Sequence, residues 1–555
     1  MVLSSYVARF CAAAPLLGLL AASCQAAPVP ETVGPTLKTI TTPHGNVTGE
    51  ISDYVTRYTV PYAAPPVGTL RLSVAREVGA WDSLDATQLP PACVQDAGDG
   101  SVKGAEDCLY MNVYVPGFAR QGQRLPVMVW IHGGSFHQGD PSNLDEGIRS
   151  FVIHQHVVVV TLQYRLGLLG WLGAVNLPGN QGLTDVIQAL KFIQSDLRSY
   201  GADPTRVTLA GQSSGAEIIK TLLVTNAADS LFHRAIIQSA PLDYPDQSFY
   251  TMRNISDKAV IDLGCVRRGF RCLREKSVQD LLDEQTTILN LALDGTWSSL
   301  TDFAFAEPFR IHIDGDLVTK DFRQVVASGQ PLNVPSRPVI YSTVINEGCN
   351  GVQQVLPDPV PAAAWLPYAS ALLPRFFPRR TEDILDSGLY DPANLPEDQD
   401  AVRDELTQIT TDFTWVCPAQ QTALNQTATN GFSGNVYLAE FDVGVPYFGE
   451  GAGGCAGGVG HQDDIRAIFG PTAAPGYSAA QNTLTSDVQQ RWASFVRSGN
   501  PNNVDDLISW PPVATSTGDL NVLVLGADAA TGKSAIKKTQ RDEICKLGTG
   551  LYSPR

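Results

Sequence analysis

The chain of 555 residues is long enough for several average domains, yet its 44% hydrophobic and 17% charged content is ordinary for one well-cored globular protein. Its 56 acidic residues against 39 basic leave a net charge of −17, which argues against nucleic acid or an anionic membrane surface as partner, since both would repel it. No segment beyond the N-terminus is apolar for the length of a membrane span; the nearest, VVVVTLQYRLGLLGWLGAV, is broken by Gln163 and Arg165.

The chain opens on MVLSSYVARF, with one basic residue, Arg9, then the small apolar run CAAAPLLGLLAAS and CQAAPVPE. This reads as an export signal over 1–26, cleaved near Ala26, with 27–555 as the mature, secreted chain and no stable membrane anchor. A lipoprotein reading on Cys24 has Ala21 where a larger aliphatic is usual. Predicted strands follow at 125–132 (LPVMVWIH), 156–164 (HVVVVTLQY), 206–211 (RVTLAG), 234–240 (RAIIQSA), 337–345 (RPVIYSTVI) and 435–442 (NVYLAEFD). Helical spacing covers GLTDVIQALKFIQSDLRSY, the stretch after Gly215, and SDVQQRWASFVRSG at 486–499. Near-continuous apolar strands alternating with helices predict an α/β fold with a large, mostly parallel central sheet flanked by helices. It is read as one domain with inserted segments at about 243–335 and 351–430.

RVTLAGQSSGAEII joins a buried-type strand to a helix through Gly211, Ser213 and Gly215. G-x-S-x-G is a weak pattern alone, but in this setting a sharp turn projects Ser213, and the Ser214 amide at the helix start can face an oxyanion. A serine hydroxyl needs a base, and the base an orienting acid. Of the eight histidines only His233, His312 and His461 follow the serine. His233 and His312 sit in strand-like runs, whereas His461 lies in the glycine-rich loop GGCAGGVGHQDDI. Between serine and histidine, Glu347 directly follows an apolar run and is preferred over Asp302 and Asp314, which fall in an inserted region. WIHGGSF (130–136) ends a strand in glycines whose amides can approach a substrate oxygen.

Together these residues resemble the type B carboxylesterase family, which includes cholinesterases, fungal lipases and juvenile-hormone esterases. VPYAAPPVGTLRL and EDCLYMNVYVP are similar to its signatures, QYRLGLLGWL and GNQGLTDVIQAL to the block before its serine. GQSSGA, NEGCNG and GHQDDIRAIFG stand where the family carries Ser, Glu and His. The resemblance implies an α/β-hydrolase fold and a Ser213–Glu347–His461 triad working without a cofactor or metal. It also implies an oxyanion hole of the Gly134, Ser135 and Ser214 amides, and a small-molecule ester as substrate. Ser239 matches a serine that hydrogen-bonds the triad acid, and Asp464 an acidic residue three after the histidine. The family pairs are Cys93–Cys108, Cys265–Cys272 and Cys417–Cys545. Once Cys11 and Cys24 leave with the signal, elimination joins Cys349 to Cys455. Sequons at Asn46, Asn254 and Asn425 suit a secretory route.

Four departures from the family pattern matter. Ser135 replaces a glycine and narrows the oxyanion loop. Gln212 replaces the usual Glu before the nucleophile, which weakens a choline-ester reading. Gln163 replaces an Asn, and the histidine sits in an unusually glycine-rich run. The Cys93–Cys108 loop, VQDAGDGSVKGAED, is short and polar where family lipases carry an apolar flap. The expected function is a serine carboxylesterase; a lipase and an acyl-transfer or lactone-forming enzyme are the alternatives, and a non-catalytic adhesion homologue fits poorly with a complete triad.

Overall fold

The computed structural model describes residues 36–120, 122–173, 177, 179–295, 307–329, 332, 337–377, 380–390, 400–429, 431–447, 459–471, 476–513, 520–538 and 544–545. The export signal expected over 1–26 lies outside the described residues, as do Asp302 and Cys455.

Among the described residues thirteen strands form one mixed sheet. Its centre is parallel, with Val158–Leu162, Leu125–Ile131, Ala202–Gln212, Arg234–Gln238, Val339–Val344, Val436–Phe441 and Asn521–Asp528 side by side in that order. Antiparallel strands extend it on both sides: Tyr110–Pro116, Val55–Pro61, Gly45–Ser52 and Thr36–Thr42 at one edge, Lys533–Lys538 at the other.

The period-2 geometry of a strand explains why the central runs are apolar without a break. Val127, Val129 and Ile131 face one core, shared with Leu183 and Leu190 of helix Gln181–Asp196 and Ile218 and Leu222 of helix Ser214–Leu222. Met128 and Trp130, from the same strand, face a second core with Ile148 and Phe151 of helix Asp145–Gln155 and Val488 and Trp492 of helix Ala479–Ser498. Both faces are therefore covered. A third apolar cluster, including Leu373, Val402, Leu406 and Phe413, is built within the segment expected as an insertion at 351–430.

The predicted central strands all form, with ends shifted by a residue or more, and the last long helix begins earlier than expected, at Ala479. The edge strands were not predicted, and their burial says why: Thr36–Thr42 is mostly exposed and carries threonine and lysine between its apolar residues. Asn521–Asp528 also falls outside the expected set, so the strand preceding His461 is not the last of the sheet.

Cys93–Cys108, Cys265–Cys272 and Cys417–Cys545 are bonded as the resemblance implies. Cys349 is also disulfide-bonded. Among the described residues no helix is long and apolar enough to cross a membrane. Asn46 is exposed at the start of a strand, whereas Asn254 and Asn425 are half-buried within helices.

Candidate active site

Ser213 stands between the strand Ala202–Gln212 and the helix Ser214–Leu222, with φ 55° and ψ −130°. A non-glycine residue held there costs about 1–3 kcal/mol, so the surroundings must impose it. They do so through backbone bonds: the Ser213 amide donates to the Gln238 carbonyl at 2.9 Å, and the Ser213 carbonyl accepts from the Glu217 amide at 3.0 Å. Gly215 lets the helix start press on the neighbouring strand, since a Cβ there would stand 2.2 Å from the Ile131 carbonyl oxygen and 2.6 Å from that of His132.

Glu347 follows the strand Val339–Val344, and its buried carboxylate accepts from the Val344 amide at 2.9 Å. His461, far along the chain, brings Nδ1 to 2.5 Å from Glu347 Oε2. A β-bridge between Asn346 and Gly460 fastens the two loops one residue before each of these side chains. Burial works to lower the imidazole pKa, but the Glu347 charge and hydrogen bond, with the charges of Asp464 and Asp463, outweigh it and the net direction is upward. The carboxylate thus engages Nδ1, and Nε2 is the ring nitrogen left for a second partner.

Ser213 Oγ does not hydrogen-bond to His461 among the described residues; the Gln212 side-chain nitrogen stands 3.2 Å from His461 Nε2 instead. Ser239 also departs from expectation. Its hydroxyl is buried without a hydrogen-bond partner rather than bonded to Glu347, whose two oxygens are taken by the Val344 amide and His461. Asp464 is fully buried and accepts from Gln238 Nε2 at 2.6 Å. Burial first, then the Glu347 charge, raises its carboxyl to about 7 against the opposing Gln238 bond and His461.

The loop expected to hold an oxyanion runs through three positive φ angles in succession: Gly134 at 119°, Ser135 at 50° and Phe136 at 62°. Phe136 is wholly buried edge-on to Trp171 at 4.7 Å, and its carbonyl accepts from the Gly167 amide at 2.8 Å. Before the loop, His132 stacks on Tyr164 at 4.5 Å, and the Tyr164 hydroxyl donates to the His132 carbonyl at 2.7 Å. Among the described residues none of the Gly134, Ser135 and Ser214 amides donates to a protein acceptor. A cavity of about 250 Å³ borders this loop, with Gly133, Gly134, Lys103, Asp140, Tyr447 and Gln462 in its wall. Among the described residues no group of three or more His, Cys, Asp or Glu side chains is arranged to hold a metal ion.

Besides the Gln212 contact, two residues near the histidine were missed in the sequence. Trp415 packs its ring 5.6 Å from that of His461 and donates Nε1–H to the Ser239 carbonyl at 3.0 Å. It sits in a π-helical turn, Thr411–Val416, whose Thr411 hydroxyl accepts from the Gly348 amide at 3.0 Å. Gln238 is the second: it binds Asp464 and receives the Trp492 indole N–H at 3.2 Å. Gln238 lies within the strand expected at 234–240 and ends the observed one, but nothing in its apolar pattern marks a polar side chain reaching the histidine loop.

The model of the Carboxylesterase family matches residues 36–545. Carboxylesterase 1F of Mus musculus is 29% identical over 508 residues, covering 86% of this chain and 88% of the relative. Acylcarnitine hydrolase of Mus musculus is 30% identical over 481 residues, covering 81% and 80%. Among solved structures, a PNB esterase superposes with a TM-score of 0.73 at 26% identity, covering 92% of this chain and 100% of that one. With the mixed sheet flanked by helices of an α/β-hydrolase, these matches establish that the chain belongs to the carboxylesterase family and is a carboxylic ester hydrolase.

Proposed function

We propose that this enzyme is a secreted serine carboxylesterase acting on small or soluble esters through an acyl-enzyme on Ser213. The observation that carries the reading is the 2.5 Å contact between His461 and Glu347, residues separated by 114 positions, at the loops beside the strained turn of Ser213. Ser213 Oγ attacks the ester carbonyl as His461 Nε2 takes its proton. The Gly134, Ser135 and Ser214 amides receive the oxyanion, with the positive end of helix Ser214–Leu222 behind them. His461 then protonates the leaving alcohol, and water releases the acid by the reverse sequence. Export is supported by the leader-like N-terminus and by the bonded cysteines. Asn46, the exposed sequon, is the favoured glycan site. An esterase is favoured over a lipase because the Cys93–Cys108 loop is a polar hairpin with Asp99, Gly100, Ser101 and Val102 exposed, not a broad apolar flap.

The test is a pair of alanine variants. Ser213→Ala should lower kcat by about 10⁴-fold or more. Ser214→Ala keeps its backbone amide and should retain turnover within a few fold. Full activity of folded Ser213→Ala would sink the serine mechanism.

A further inference from the structure

Gln212 is wholly buried, and its side-chain nitrogen meets His461 Nε2, the atom a serine nucleophile requires, at 3.2 Å. In the neutral ring with Nδ1–H on Glu347, Nε2 carries the lone pair, and in this contact the Gln212 amide N–H donates. The other end of the amide, Oε1, is buried without a hydrogen-bond partner, and a Cβ added at Gly133 of the oxyanion loop would stand 2.9 Å from it. A carboxylate in this place could only accept. It would face the neutral imidazole lone pair to lone pair and favour the imidazolium at all times. An amide has a donor for the neutral ring and an acceptor for the protonated one.

We infer that Gln212 is a two-way positioning residue for the base: its N–H caps neutral His461 Nε2 at rest, and after a half-turn of the amide its Oε1 accepts from the imidazolium. The inference rests on the serine mechanism proposed above. The Ser213 hydroxyl must displace the amide N–H before its proton can pass to Nε2, as the Oγ–carbon bond forms and the carbonyl π pair moves to oxygen. The new Nε2–H is then shared between Gln212 Oε1 and the leaving oxygen, which takes the proton as the ester C–O bond breaks. The amide gains and loses no proton. The turn breaks no protein hydrogen bond at the Oε1 end, and the charge-assisted bond from the imidazolium to Oε1 offsets the loss of a partner for the N–H.

The charged groups facing His461 are Glu347 from the loop after Val339–Val344 and Asp463 and Asp464 from its own loop, with the neutral Trp415 ring packed against it. Burial favours the neutral imidazole and all three carboxyls oppose it; the amide N–H on Nε2 is a further contact on the side of the neutral form. The experiment measures kcat and kcat/KM against pH on a soluble ester for wild type, Gln212→Glu and Gln212→Met. The acid limb of kcat/KM reports the free base. It should move upward by about one pH unit or more for Glu, whereas Met removes the donor for the neutral ring and the acceptor for the imidazolium together and should move it less. Plateau kcat should fall in Met, which has no acceptor for the imidazolium. An acid limb of Gln212→Glu that coincides with wild type or moves downward, or a plateau kcat unchanged in Gln212→Met, overturns the inference. Active-site titration with an organophosphate normalises each preparation, so a poorly folded Glu variant leaves the Met comparison decisive. Ser213→Ala measured alongside separates the two levels: residual activity there removes the serine reading itself, whereas a dead alanine variant with unmoved acid limbs removes only the role of Gln212.

Discussion

Ser135 holds a φ of 50° in the loop proposed to receive the oxyanion, a region that favours glycine. Its Cβ narrows the space for a branched alcohol, and its backbone carries strain of about 1–3 kcal/mol. Ser135→Gly should therefore raise kcat/KM on a tert-butyl ester relative to the ethyl ester about tenfold, without lowering the melting temperature. An unchanged ratio would show that the Cβ is not the obstacle. Asp464 has a different consequence at the same scale. Its carboxyl is raised to about 7 in the fold from an ordinary 3.8, so between those values the folded protein holds a proton that the unfolded chain has released. This contribution favours the fold at acid pH and is lost as pH rises through 7. Asp464→Asn keeps an oxygen for Gln238 and removes the titration. Between pH 5 and 8 the variant should gain about 2–3 kcal/mol on wild type, read from denaturant midpoints across that range.

At the scale of elements, the strand-to-helix turn depends on contact between backbones. A Cβ at position 215 would meet the carbonyl oxygens of Ile131 and His132, neither of which can swing aside as a side chain could. Gly215→Ala should cost about 1–3 kcal/mol and also lower kcat, because the forced separation moves Ser213 away from the oxyanion loop. Loss of stability with kcat intact would mean that the strand, not the turn, had yielded. This turn was legible in the sequence because its parts are contiguous: an apolar strand, two glycines and a helix start. Glu347 was legible for a similar reason, as the first acid after an apolar run, and His461 by its place in chain order. The contact of Trp415 was not, since a π-helical turn shifts the register on which helical patterns are read. Nor was the Gln212 contact with His461, which depends on a side-chain rotamer and not on spacing. Ser239 matched a pattern, yet its hydroxyl is buried without a partner, since a sequence match does not fix a side chain's rotamer.

Across the whole molecule, the sheet divides two apolar cores, and alternation along each central strand supplies both. The central strands could be read from their unbroken apolar runs, and the exposed, threonine-rich edge could not. The Cys417–Cys545 bond spans 128 positions and starts one residue after the turn that carries Trp415. Replacing both cysteines by alanine should lower stability by about 2–5 kcal/mol, measured by chemical denaturation. Turnover well below the melting temperature should change little, and a large loss there would tie the bond to the histidine loop. The span also sets an order of events during biosynthesis. Cys93–Cys108 and Cys265–Cys272 close over 15 and 7 positions, so each can form almost as soon as its second thiol is made. Cys417 must wait for 128 further residues, roughly 6–26 s at about 5–20 residues per second. Throughout that interval a nascent chain carries a reduced thiol beside the Trp415 turn, exposed to oxidants and to other cysteines. The yield of active enzyme should therefore depend on disulfide isomerase capacity in the host, more than its finished, fully bonded form would suggest.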